Sequence, residues 1–150
     1  MSARLFHLAC AALLALPAHA ATWPVRELPV AAAPPVVTLQ WSAPAPGGST
    51  RVEGTLQTPI HLDTSPWQGR QARIYLVLPW QAGGALLVRF AGMAGGPLQS
   101  GQIQPGQRAL VFTGPVPATL RDTLTLQFLA DARAVPAPQR LEFRFEIDLE

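Results

Sequence analysis

The chain has 150 residues, with 11 basic residues against 9 acidic ones and a formal net charge of +2. All the basic residues are arginines and none of them form a run, so this small excess does not predict nucleic-acid binding. The single cysteine, Cys10, lies within the first 20 residues. The rest of the chain therefore has no thiol for a disulfide or for a zinc site built on cysteine.

Residues 1–20 have the pattern of a secretory signal peptide. Arg4 precedes an apolar run, and small residues lead to a cleavage point between Ala20 and Ala21. The run is shorter than the roughly 20 apolar residues that span a bilayer. The chain also lacks lysine and asparagine, which is typical of a GC-rich coding sequence. We therefore expect a bacterial protein, exported to the periplasm or cell surface, with no transmembrane segment after cleavage.

Residues 21–35 contain four prolines in fifteen positions. Proline removes a backbone donor and fixes φ, so this stretch is predicted to form an extended arm rather than a central strand. The arm is interpreted either as a lead-in to the domain or as a docking segment that lies on a neighbouring subunit. The side chains proposed for the docking contact are Trp23, Val25, Leu28 and Val30.

Residues 36–150 are predicted to form one β domain, because short stretches of alternating apolar and polar residues are separated by proline- and glycine-rich turns. The main predicted strands are residues 36–41, 51–57, 72–78, 86–90, 108–113, 123–129 and 141–150. A further short strand is expected within 98–103, and residues 120–122 are expected to form one helical turn. The predicted fold is an antiparallel immunoglobulin-like β-sandwich of seven to eight short strands, with a small β-barrel as the alternative.

The last ten residues have the clearest pattern in the chain. Apolar residues occupy the odd positions from Leu141 and charged residues the even ones, which predicts a strand with one buried face and one solvated face. A second interpretation places this strand at a sheet edge, where its charges oppose unwanted pairing or select a partner.

Residues that could support catalysis or metal binding are few. His61 and Asp63 share a strand face and supply at most part of a metal site. The types needed for a catalytic triad occur at Ser65, Ser100, His61, Asp63 and Asp131, but no motif brings them together. We therefore expect no enzymatic activity and no cofactor.

Two tryptophans, Trp67 and Trp80, lie in predicted loops and are candidates for stacking on a sugar ring or contacting another ligand. The alternative is that both rings fold over the ends of the domain. Taken together, the sequence favours a non-catalytic envelope protein with a structural, adhesion or assembly role. A pilus-like subunit that adds a strand to copies of itself or to other envelope proteins fits this description, and a carbohydrate- or ligand-binding module is the alternative.

Overall fold

The computed structural model describes residues 21–29, 40–41, 50–80, 86–131, 133 and 141–150. These residues contain nine strands and one short 3-10 helix at Ser65–Trp67. The strands are β1 (Thr22–Glu27), β2 (Gln40–Trp41), β3 (Arg51–Asp63), β4 (Gln71–Leu78), β5 (Leu86–Ala91), β6 (Gly101–Ile103), β7 (Gln107–Pro115), β8 (Thr119–Asp131) and β9 (Arg144–Leu149).

The strands form one antiparallel sheet in the order β6-β5-β8-β3-β1-β9-β4-β7, and β2 pairs with β3 outside this path. The two ends of the path approach each other, and the Gln99 amide donates a hydrogen bond to the Val111 carbonyl (2.8 Å). The sheet is therefore nearly closed. The all-β prediction is confirmed, and the alternative architecture, the small β-barrel, fits better than the sandwich. The reason is β1, which pairs with both β9 and β3 and so joins strands that a sandwich would keep in separate sheets.

The core follows from period-2 alternation along the longest strands. β3 and β8 pair over thirteen positions, from Arg51 opposite Asp131 to Asp63 opposite Thr119. At one end of this ribbon Leu62 and Leu120 face each other and are fully buried. Each fully buried leucine contributes roughly 1.5–3 kcal/mol relative to an exposed one. The other core residues that are almost completely buried include Ala72, Ile74, Leu76, Leu78, Val88, Ile103, Val111, Leu124 and Ile147.

The C-terminal strand confirms the predicted alternation but not the predicted edge position. Phe145 and Ile147 are buried, while Arg144 is exposed and Glu146 and Asp148 are half-exposed. β9 lies between β1 and β4, so the edge interpretation is wrong. β9 is not an edge strand because β1 pairs with one side of it and β4 with the other.

Two further expectations concern the second half of the chain. A short strand is present within the glycine-rich connection, as expected, at β6. Residues 120–122 do not form a helical turn, because they continue β8 and keep its register with β3. Long-range pairing with β3 therefore overrides the local signal at these positions.

Candidate functional site

The candidate site is the position of β1 between its two neighbours, which we call the β1 slot. One wall of the slot is residues 145–148 of β9, which pair with Thr22–Val25 of β1. The other wall is residues 62–63 of β3, which pair with Glu27 and Arg26. The Leu28 amide extends this second contact by donating to the His61 carbonyl (2.8 Å). β1 is therefore the strand that connects the two halves of the sheet.

Proline is tolerated in β1 because the strand changes neighbours along its length. Pro24 lies opposite Glu146 of β9, and the described residues give it no register partner on β3. Pro24 therefore has a paired strand on one side only, and proline, which has no N–H to donate, is tolerated in a sheet at such positions. The sequence predicted an extended arm here, and the structure places residues 22–27 within the sheet.

The four residues proposed for a docking arm have different positions. Val25 is buried in the chain's own core, and Leu28 is half-buried. Trp23 is 50% exposed. Val30 lies outside the described residues. Contact between this segment and a neighbouring subunit stays a prediction, but in this conformation Val25 already has a partner surface within its own chain.

The outer surface beside the slot carries a charged cluster. Asp148 accepts hydrogen bonds from the Thr22 hydroxyl (2.6 Å) and from both Arg108 terminal nitrogens (2.9 and 3.4 Å). The Arg108 guanidinium lies over the Tyr75 ring, 4.2 Å from its centroid, and 3.8 Å from the Glu146 carboxylate. We call Thr22, Tyr75, Arg108, Glu146 and Asp148 the outer cluster. It links β1, β4, β7 and β9 by side chains.

The electrostatics of the outer cluster favour a charged pair at neutral pH. Partial burial alone would raise the pKa of Asp148, but the hydrogen bonds from Thr22 and Arg108 outweigh it and hold that pKa below its usual value. The hydrogen bond to Asp148 also raises the pKa of Arg108, against the loss of solvation. The cluster therefore adds an exposed polar contact to the main-chain pairing of β1 with β9. Its residues include no nucleophile of the serine or cysteine type.

The two candidate tryptophans do not meet. Trp67 ends the 3-10 helix and packs half-buried against the core. Trp80 follows the far end of β4 and is 78% exposed, with its indole beside Gly106, where an added Cβ would lie 3.5 Å from the ring. The seven steps along the eight residues of β4, at about 3.3 Å each, put its ends roughly 23 Å apart, and the two tryptophans lie beyond opposite ends. They cannot contact one small ligand together.

The candidate catalytic residues do not form a triad. The Arg121 Nε–H donates to His61 Nε2 (3.0 Å), and the Ser65 hydroxyl donates to Asp63 Oδ1 (2.6 Å). The hydrogen bond from Ser65 lowers the pKa of Asp63, which makes this carboxylate a poor base for the serine. Asp131 is at the opposite end of β8 from Arg121, and Ser100 is an exposed residue just before β6.

Sequence reasoning missed one well-defined polar site, at Asp122. This carboxylate is only 8% exposed and accepts hydrogen bonds from the backbone amides of Met93 (3.1 Å), Leu98 (3.0 Å) and Thr123 (2.6 Å). Gly92 and Gly96 pack so closely that a Cβ on either would lie under 3.0 Å from Asp122 Oδ2. Asp122 thus organises the glycine-rich loop. An acidic residue at an inward position of an apolar strand is the signal that could have found it.

Three further expectations concern metal binding, membrane-spanning helices and cleavage of the signal peptide. In the part of the chain described here, no three or more His, Cys, Asp or Glu side chains are grouped so as to hold a metal ion. That part also contains no helix of the length and apolarity needed to cross a bilayer. Ala21 is exposed next to β1, and Ala20 lies outside the described residues, so cleavage between them stays a prediction.

Comparison of the chain with protein-family models, with curated proteins and with solved structures gives no match. Its function is therefore argued from the geometry above.

Proposed function

We propose that this protein is an exported, non-catalytic component of a bacterial envelope with a structural or assembly role, and that β1 is its assembly element. The observation that carries the proposal is the β1 slot, which accepts one strand and has a pairing edge on each side. Strand addition of this kind supplies affinity through main-chain hydrogen bonds and specificity through alternate side chains.

The side chains of the slot support this role. Val25 supplies the buried contact on the inner side of β1, and Thr22 supplies the polar contact to Asp148 on the outer side. The leader-like residues 1–20 support export of the protein.

The first test of the proposal is the size of the exported protein, measured by light scattering over a wide range of concentrations. We expect oligomers that increase with concentration, as mass action requires of self-assembly. A protein that stays monomeric throughout, and that captures no other envelope component, would remove the assembly role. N-terminal mass spectrometry of the same sample tests export, with Ala21 as the expected first residue.

The test uses point variants because removal of residues 21–35 would also remove Val25 from the core and uncover Phe145 and Ile147. Loss of assembly in that truncation would therefore have two causes. Trp23→Ala shortens a half-exposed side chain of β1 outside the buried core and should reduce assembly. Trp80→Ala removes another exposed indole, outside β1, and serves as the matched control.

A second candidate function is carbohydrate binding at Trp80. The specific observation is that this indole is 78% exposed and rests beside the Gly106 backbone, which leaves a large aromatic surface for stacking. Trp80→Ala should abolish binding on a glycan array, while Trp23→Ala, which alters another exposed indole, should leave it unchanged. Equal binding by the wild type and Trp80→Ala would end this candidate.

A further inference from the structure

We infer that residues 92–100 form a strap that closes the sheet between β8 and β7, and that this strap can detach while the rest of the sheet stays paired. We call residues 92–100 the strap and the boundary that they cover the seam. Asp122 anchors the strap to β8. The inference goes beyond the proposed assembly role and does not depend on it.

The seam follows from the strand pairings. β8 pairs with β3 along residues 119–131, but it pairs with β5 only along residues 125–130. In the part of the chain that the structure describes, residues 119–124 of β8 therefore have no paired strand on their second side. β7 is the last strand of the path and, among the described strands, has register partners on β4 alone. The sheet needs another segment to close here.

The strap supplies this closure through contacts to both strands. On β8, Asp122 Oδ2 accepts a hydrogen bond from the Leu98 amide (3.0 Å), and Oδ1 accepts one from the Met93 amide (3.1 Å). On β7, the Val111 carbonyl accepts a hydrogen bond from the Gln99 amide (2.8 Å). Two consecutive residues, Leu98 and Gln99, thus connect the two strands. The Leu98 side chain is also buried in the core.

The anchor of the strap differs from the pairing elsewhere in the sheet. In an antiparallel ladder, successive amides donate to carbonyls spread along the partner strand, so the loss of one side chain removes none of these acceptors. In the strap, two amides depend on a single carboxylate, and Asp122 is only 8% exposed. A buried amide that loses its acceptor destabilises the structure. Displacement of this one side chain is therefore enough to weaken the closure.

Gly96 shows how closely the strap fits its anchor. A Cβ at this position would lie 2.5 Å from Asp122 Oδ2 and 2.6 Å from Oδ1. A methyl group fits only if the strap or the carboxylate moves. Gly96→Ala therefore separates the strap from Asp122 without changing any residue of β7 or β8.

Two valines report the opening of the seam. Val111 and Val88 are both 0% exposed, so they match in residue type and in burial. Val111 lies on β7 and bonds to the strap, whereas Val88 lies on β5 between β8 and β6 and pairs with both. Local opening occurs where pairing and buried contacts are fewest. Val111 should therefore become accessible when the strap detaches, and Val88 only when the domain unfolds.

The test measures the labelling of engineered cysteines in a full-length chain that carries Cys10→Ser, so that no other thiol is present. One version carries Val111→Cys at the seam, and the other carries Val88→Cys inside the sheet. Each version is mixed with a thiol reagent in native buffer. The labelling rate is compared with the rate that global unfolding of the same protein allows.

Three second-site changes are then added to each version. Gly96→Ala displaces the strap from its anchor. Asp122→Asn keeps the size of the anchor but replaces one acceptor oxygen by a donor. Val52→Ala is the control, because it removes a buried side chain at the opposite end of the β3–β8 ribbon from Asp122. Circular dichroism shows that each variant keeps its β structure.

A detachable strap predicts that Val111→Cys is labelled faster than global unfolding allows, and Val88→Cys only at the rate of global unfolding. Gly96→Ala and Asp122→Asn should each raise the labelling of Val111→Cys about tenfold or more, since they weaken contacts that the opening breaks. Val52→Ala lowers the free energy of global unfolding, so it should speed the labelling of Val88→Cys and leave that of Val111→Cys unchanged.

Equal labelling of Val111→Cys and Val88→Cys without a second change would show that the seam opens only with the whole domain, and the inference would be overturned. It would also be overturned if Val52→Ala sped the labelling of Val111→Cys as much as Gly96→Ala does. If Asp122→Asn left the labelling of Val111→Cys unchanged, Asp122 would not be the anchor.

Discussion

The β3–β8 ribbon and β1 hold the same sheet together in different ways. The ribbon pairs over thirteen consecutive positions, and fully buried leucines face each other near its end. β1 pairs over six positions divided between two neighbours, includes a proline and relies on one buried side chain, Val25, and one polar contact, Thr22 with Asp148. The ribbon is therefore the most extensively paired part of the sheet, and β1 joins the two halves through fewer contacts.

The largest expected effect is in the ribbon. Leu62→Ala removes a fully buried side chain opposite Leu120 and should lower the free energy of unfolding by about 2–5 kcal/mol. Urea denaturation followed by circular dichroism measures this loss. Thr55→Ser, at an exposed position of the same strand, is the control and should change the midpoint little. A Leu62→Ala variant as stable as the control would mean that this end of the ribbon is not the core.

The second effect is at Asp122, on β8. Asp122→Ala leaves the amides of Met93 and Leu98 without their acceptor in a buried site and should destabilise the protein by about 1–3 kcal/mol. Amide exchange measured by NMR should show the loss of protection at these two residues first. Unchanged protection in the glycine-rich loop would show that something other than Asp122 holds it.

The third effect is in β1 itself. Val25→Ala removes two buried carbon groups, which costs about 2 kcal/mol at roughly 0.8 kcal/mol each plus a small cavity term. Because Val25 is the buried side chain of β1 in the slot, the variant should also speed the opening of β1. Hydrogen exchange at residues 145–147 reports that opening. If those amides keep their wild-type rates, β1 does not cover them.

The smallest effect is in the outer cluster. Asp148→Asn should cost less than about 1 kcal/mol, because surface ion pairs contribute little, and the difference from the wild type should shrink at high salt. The folded-state pKa of Asp148 is below its usual value, so its contribution is present above the unfolded-state pKa of about 3.9 and is lost as the pH falls through the folded-state value.

Denaturation curves of the wild type and Asp148→Asn from pH 7 down to pH 2 check this sign, since the two proteins should converge in acid. Asp131→Asn changes a carboxylate on β8 that accepts a hydrogen bond from the Arg133 amide (2.9 Å), and it is the comparison for a carboxylate outside the outer cluster. A constant difference between wild type and Asp148→Asn across this pH range would contradict the charged pair.

The sequence alone predicted the strands that have a recognisable local pattern of residues. Alternation predicted β8 and β9, a run of β-prone residues predicted β4, and the glycine-rich connection was expected to conceal β6. The sequence did not predict the position of strands whose pairing depends on segments far away in the chain. Pro24 indicated an arm outside the sheet, because no local pattern shows that β1 changes neighbours beside it.

The contacts of the candidate site also could not be predicted from local sequence patterns. Thr22, Arg108 and Asp148 are far apart in the chain, and each looked like an ordinary surface residue. The tryptophans were predicted to lie in loops, and only the length of β4 shows that Trp67 and Trp80 are too far apart to share a ligand. Asp122 was assigned to a helical turn because the pairing of β8 with β3 cannot be detected from neighbouring residues alone.

Hydrogen–deuterium exchange of the full-length protein, resolved by residue, tests the central claim most directly. If β1 is the weak joint of the sheet, its amides and those of residues 145–147 should exchange through an opening well below the free energy of global unfolding, while the β3–β8 ribbon exchanges only by global unfolding. Protection of β1 equal to that of the ribbon would show that the sheet opens as one unit, and would contradict the assignment of β1 as the weak joint of the sheet.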